Sequence, residues 1–166
     1  MEGEQIGVIA PYVSQINLLN RLLTREENLR ERYISILGEE RAMDMANIEI
    51  KTVDGFEGRE KEVIIFSTVR NNPDGYIGFL ADRRRLNVGL TRAKRALFVV
   101  GSMSTLSRGR YGRSFSPEEE DLIVGKGAEA WRRFTQYLSK ENLVLPLRGH
   151  SLKSVIDLKP PRHILY

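Results

Sequence analysis

Six cationic side chains fall within the thirteen residues 83–95 of the stretch RRRLNVGLTRAKR, and a short apolar run ending in LFVVG follows at once. An arginine presents a planar fork that stays charged at any accessible pH and grips a phosphate through two parallel hydrogen bonds. The stretch is therefore a candidate anion-reading surface, with a solvated basic face as the plain alternative. A second candidate is TVDGFEGRE, residues 52–60. Its glycines, Gly55 and Gly58, permit tight backbone turns whose N–H groups can face an anion. Asp54, Glu57, Arg59 and Glu60 crowd ionisable groups into the same few residues. A glycine-bearing turn that merely connects two elements is the commoner case, by roughly three to one, so the charges rather than the glycines make this segment notable.

Other chemistries find no residues to perform them. The chain has no cysteine, which excludes thiolate zinc sites and thiol nucleophiles and suits an intracellular, reducing environment. Its only histidines, His150 and His163, stand among turn-prone residues near the C-terminus, so no metal centre is expected. GxxxxGK[ST] is absent: GKG at 125–127 has Glu120 where the first glycine belongs and Gly127 where a hydroxyl is needed. There is likewise no GxGxxG, GxSxG, HExxH or EF-hand loop, which also argues against a small-molecule Rossmann domain. At 166 residues, 41% hydrophobic and 29% charged, the chain suits one domain with a real core. No apolar run approaches membrane-spanning length and no secretory leader is evident. The net charge of +4 is unevenly spread, with basic segments at 83–95 and 108–113 and an acidic one at 116–121, as an anionic partner would favour.

These residues need elements to hold them. IGVIAPY reads as a buried strand closed by Pro11. SQINLLNRLL, with Ile16, Leu19 and Leu23 at helical spacing and Ser14 as N-cap candidate, predicts a helix running on toward Gly38. IEIKTV alternates as a strand, and residues 62–69, EVIIFSTV, form a third strand covered on both faces. Leu86, Leu90, Ala93 and Leu97 recur at i, i+4, i+7 and i+11, which predicts one helix face, with Arg85, Arg92 and Arg95 projecting opposite and LFVVG as the fourth strand. Gly89 inside that helix costs about 1 kcal/mol against alanine, which a close approach by another group would explain. Residues 103–127 read as a long, partly flexible connection. A final helix places Trp131, Phe134 and Leu138 on one face, and LVLPL is a possible last strand. Strands alternating with helices predict an α/β sandwich around a mainly parallel sheet, with ligands gathered at the carboxyl ends of the strands.

In this order, the segments IGVIAPYVSQINLL, TVDGFEGREKEVIIFSTVRNN and GFLADRRRLNVGLTRAKRALFVVGS, with the later tryptophan helix, resemble the second RecA-like domain of superfamily 1 helicases. The likeness is to the Upf1-like group, with its Sen1, Dna2 and Ighmbp2 branches; the segments match motifs IV, V and VI over residues 6–102, and the Trp131 helix loosely. The resemblance implies a RecA-like three-layer sandwich over residues 1–147, a P-loop NTPase-type fold without its own P-loop, followed by an unassigned tail at 148–166. It implies ATP with Mg²⁺, bound mainly by an upstream RecA-like domain, and an arginine finger at Arg92 of LTRAK. Gly58 and Glu60 match the nucleotide side of motif V. Thr52 and the Pro11, Tyr12 and Gln15 region would face single-stranded RNA or DNA or the interdomain cleft, mostly through the phosphate backbone. Ala10 stands where many relatives carry threonine, and Glu57 where glutamine is common. The implied function is the C-terminal half of an ATP-dependent helicase or translocase motor, inactive as a fragment. The competing expectation is a degenerate RecA-like domain that binds nucleic acid or protein without catalysis. Oligomeric state, and a nuclear as against a cytoplasmic home, are left open.

Overall fold

The computed structural model describes residues 1–110 and 120–147. Residues 111–119, inside the expected connection, and the tail from 148 onward lie outside the described residues. The chain begins with strand β1 (Ile6–Ala10), followed by helices α1 (Val13–Thr24), α2 (Glu27–Leu37) and α3 (Glu39–Asp44) and by strand β2 (Glu49–Thr52). Strand β3 (Lys61–Ser67), helix α4 (Arg83–Thr91), strand β4 (Ala93–Val100) and helices α5 (Met103–Arg108) and α6 (Glu120–Lys140) complete it.

The four strands form one sheet in the order β2-β1-β3-β4, and every neighbouring pair is parallel. Alternation along the strands sends Ile9, Ile64 and Phe66 to one face. There they join a buried cluster with Leu86 of α4 and Ala128 and Trp131 of α6. Val8 and Val63, also buried, stand on the opposite face, and α1 packs along β1 and β2. The Trp131 indole is fully buried and donates to the carbonyl of Leu80 at 2.9 Å, so the largest core side chain also has its polar atom satisfied.

Several expectations change. The helix after β1 does not run unbroken to Gly38, because it ends at Thr24 and restarts at Glu27. Its N-cap is Tyr12, whose carbonyl accepts from Gln15 and Ile16, so Ser14 lies inside the first turn. The helix expected to carry Leu86, Leu90, Ala93 and Leu97 stops at Thr91, and Ala93 and Leu97 belong to β4. A spacing of four is even, so it keeps residues on one strand face as readily as on one helix face; all four side chains still pack on the same core. Arg92 is thus the helix cap, and Arg95 is a strand residue paired to Glu62 at 2.7 Å. The connection over 103–127 carries helix at both ends, in α5 and the start of α6. LVLPL forms no strand: residues 143–147 are irregular and exposed, and Pro146 has no N–H to donate to a ladder. The expected close approach at Gly89 is present, since a Cβ there would stand 2.7 Å from the Phe66 ring.

Candidate functional site at two ends of the sheet

The expected site residues separate into two groups. Lys61 and Ala93 open β3 and β4 and are register partners. The backbone N–H of Lys61 donates to the carbonyl of Arg92 at 3.1 Å, which sets Gly58, Arg59 and Glu60 beside Arg92 at the amino edge of the sheet. Thr52 closes β2 opposite Ala10, the last residue of β1, so Thr52, Pro11, Tyr12 and Gln15 gather at the carboxyl edge. A seven-residue strand such as β3 spans roughly 20 Å between these edges. The expectation that chemistry collects at the carboxyl ends therefore covers only half of the candidates. The reason is topological: α4 and the turn after β2 both run back against the strand direction and deliver their last residues to the other edge.

At the amino edge, α4 starts on Asp82, whose Oδ1 accepts from the N–H groups of Arg84 at 2.8 Å and Arg85 at 3.4 Å. This N-cap fixes the helix that ends in Arg92. The Arg92 Nη2 donates to the Thr91 hydroxyl at 3.0 Å, and that hydroxyl donates to the Asn87 carbonyl at 2.8 Å. The Arg92 Nε is buried and has no hydrogen-bond partner among the described residues. A register irregularity between Lys61 and Val63 lies next to it, of the kind that re-aims side chains beside functional sites. Gly58 has φ +74 and open space where a Cβ would project, and Glu60 is exposed. Arg59 reaches back to Glu49 at 2.6 Å, and Lys51 and Lys61 stand 3.0 Å from the same carboxylate. Burial by itself would raise the Glu49 pKa, but the hydrogen bonds from Lys51 and Lys61 and the nearby charges of Lys61 and Arg59 hold it below the ordinary glutamate value.

At the carboxyl edge, the Thr52 hydroxyl accepts from the Gly55 N–H at 3.1 Å. The Tyr12 hydroxyl accepts from Arg70 Nε at 2.7 Å, and the Arg70 guanidinium carbon lies 5.0 Å from the Tyr12 ring centroid. Phe79 meets Tyr12 edge-on, centroids 5.6 Å apart at 88°, and the Arg85 guanidinium lies 5.0 Å from the Phe79 centroid. Arg85 in turn forks onto Asp54 at 3.0 and 3.2 Å. That bond raises the Arg85 pKa against the opposing effect of burial, with the charges of Asp54 and Asp82 adding to the rise. The direction of Arg70 is set by a three-residue turn in which its N–H donates to Thr68 at 2.7 Å across Val69, whose φ is +64. A β-branched residue there is strained. Fully buried Thr68 anchors the turn, bonded to the Val100 carbonyl through its N–H at 2.9 Å and its hydroxyl at 3.3 Å.

Sequence reasoning missed Glu49, Arg70, Phe79 and the Asp54–Arg85 pair. The one local signal was Asp82, the cap that aims Arg85: an aspartate directly ahead of a helical run. The ionisable residues expected to crowd together in 54–60 do not, since Asp54 pairs at one edge and Arg59 at the other.

Residues 1–104 match the family described as AAA domain. ECM32 of Saccharomyces cerevisiae is 41% identical over 162 residues, covering 85% of this chain. The ATP-dependent helicase NAM7 of the same yeast is 43% identical over 109 residues, covering 65%, and the DNA replication ATP-dependent helicase/nuclease DNA2 of Mus musculus is 42% identical over 104 residues, covering 62%. The chain spans only 13%, 10% and 8% of the lengths of these three relatives. Among the described residues no helix is long and apolar enough to cross a membrane. With its parallel α/β sheet and its motif order intact, the chain belongs to the Upf1-like group of superfamily 1 helicases, as a RecA-like domain.

Proposed function

We propose that this chain is the C-terminal half of the motor of an ATP-dependent RNA or DNA helicase or translocase, working at a cleft shared with an upstream RecA-like domain. Its amino edge serves the nucleotide, with Arg92 as arginine finger and Gly58 and Glu60 beside it. Its carboxyl edge, with Pro11, Tyr12, Gln15 and Thr52, serves the single strand. ATP and Mg²⁺ are held mainly by the upstream domain, since this chain carries no GxxxxGK[ST].

The observation that supports this reading is the buried, unpartnered Nε of Arg92. A buried donor without an acceptor costs about 1–3 kcal/mol, and in a native protein such a group calls for a partner. A phosphate oxygen brought to the amino edge supplies one. The guanidinium is held by a capped helix and the Thr91 hydroxyl, which is the preorganisation that transition-state stabilisation requires.

The test is ATP hydrolysis by the protein carrying both RecA-like domains, with RNA and single-stranded DNA as competing stimulants. Stimulation by a strand is expected, together with a loss in Arg92→Ala of at least about a hundredfold. Near-normal hydrolysis by that variant overturns the arginine-finger role. Absence of stimulation by either strand overturns the strand-binding role.

A further inference from the structure

We propose that Phe79 is a base-stacking platform on the strand-binding face, adding a nucleobase contact to a surface otherwise read as gripping phosphates. The inference rests on the proposed role of the carboxyl edge and extends it to a residue and a ligand moiety not yet assigned. Phe79 sits in the 3-10 turn Gly78–Ala81, where its neighbours Ile77, Leu80 and Ala81 are buried to 3% exposure or less while Phe79 is 52% exposed. The turn is thus pinned into the core and holds one aromatic ring outward.

That ring is also held from two sides. Tyr12 meets it edge-on, and Arg85 lies over it while forked to Asp54. A ring so fixed loses little conformational freedom when a second flat group covers its remaining surface. The surroundings select the class of that group. Arg70 stands against Tyr12, Arg83 and Arg84 are exposed at the start of α4, and an open groove of about 370 Å³ runs past Tyr12, Val69, Arg70, Asn71 and Asn72. An exposed aromatic ring set among arginines fits a single-stranded polyanion that carries flat bases. An apolar protein patch would match the ring but not its cationic border.

The test is the affinity of the protein carrying both RecA-like domains for a fluorescent oligo(dT) strand and for an abasic strand of equal length, at about 50 mM salt where phosphate contacts are strong. Phe79→Ala is expected to weaken oligo(dT) binding about tenfold, within the range found for base–aromatic contacts. Phe79→Trp is expected to retain binding, and Phe79→Leu, which keeps the apolar contact with Tyr12 without the π-face, to behave like Phe79→Ala. On the abasic strand wild type and Phe79→Ala are expected to bind equally. Equal affinity of the two for oligo(dT) overturns the inference, leaves the strand-binding reading intact and gives Phe79 to a protein contact such as the upstream domain. An equal loss on both strands also overturns it, because the effect then does not pass through a base. Failure of wild type to bind either strand overturns the strand-binding reading and the inference with it.

Discussion

The N–H of Lys61 donates to the carbonyl of Arg92 at 3.1 Å, tying the first residue of β3 to the residue that caps α4. Through that bond the motif carrying Gly58 and Glu60 and the motif carrying Arg92 share one edge of the sheet, although more than thirty residues separate them in the chain. The bond uses only backbone atoms. Replacing the Arg92 side chain should therefore leave this backbone tie intact while removing the charge and its bond to the Thr91 hydroxyl.

Arg92→Ala should keep strand affinity within about twofold of wild type, since the proposed strand face lies at the far edge. Arg92→Lys should recover little of the lost hydrolysis, because an ammonium lacks the planar fork. Strand affinity measured beside ATP turnover in the two-domain protein checks both statements. A large fall in affinity would place Arg92 on the strand face instead.

Glu49 links stability to pH. Its carboxyl is held below the ordinary value in the folded chain, so it binds fewer protons folded than unfolded. Its contribution is fully present above the unfolded value of about 4.3 and is lost as pH falls through the lower folded value. Glu49→Gln should cost about 1 kcal/mol at pH 7. The gap from wild type should close on acidification, read as urea midpoints at neutral pH and below the folded pKa. A gap independent of pH would show that packing rather than charge sets the cost.

Gly89→Ala sets two effects against each other. Helix propensity favours alanine by about 1 kcal/mol, whereas its Cβ would stand 2.7 Å from the Phe66 ring. Overpacking of that kind costs about 1–3 kcal/mol, so the variant should be less stable by about 1 kcal/mol. Thermal melting decides the sign, and a stabilised variant would mean that the ring moves aside freely.

Trp131→Phe removes the indole N–H bonded to the Leu80 carbonyl and leaves space in the centre of the core cluster. The orphaned acceptor and the lost volume together should cost about 2–4 kcal/mol. Denaturant unfolding checks this, and a cost below 1 kcal/mol would show that water reaches the Leu80 carbonyl.

How much of this was legible in the chain itself depends on the range of the interaction concerned. Apolar runs marked β1 and β3, and the Trp131, Phe134 and Leu138 spacing marked α6, because those signals come from local burial. Gly89 announced a close contact without naming Phe66 as the group that approaches. The motif order offered Arg92, Gly58 and Glu60 together, and the bond from Lys61 to Arg92 sets all three at one edge of the sheet. Where local rules overlap, the sequence misled: the spacing of four from Ala93 to Leu97 suits a helix face or a strand face alike, and the helix ends at Thr91, where Arg92 accepts the ladder bond from Lys61.

By itself, then, the sequence determined the alternation of strands and helices and which residue types were offered for chemistry. The division of those residues between two edges was decided by tertiary structure alone. Parallel strands require each connection to run back along the sheet, so the turn after β2 places Asp54 at one edge and Arg59 at the other. The same return carries α4 from Arg85, beside Phe79, to Arg92, beside Lys61. Exposure of Phe79 between buried Ile77 and Leu80 is likewise invisible in a short apolar run, because what leaves one ring in solvent is the position of the neighbouring strands and helices.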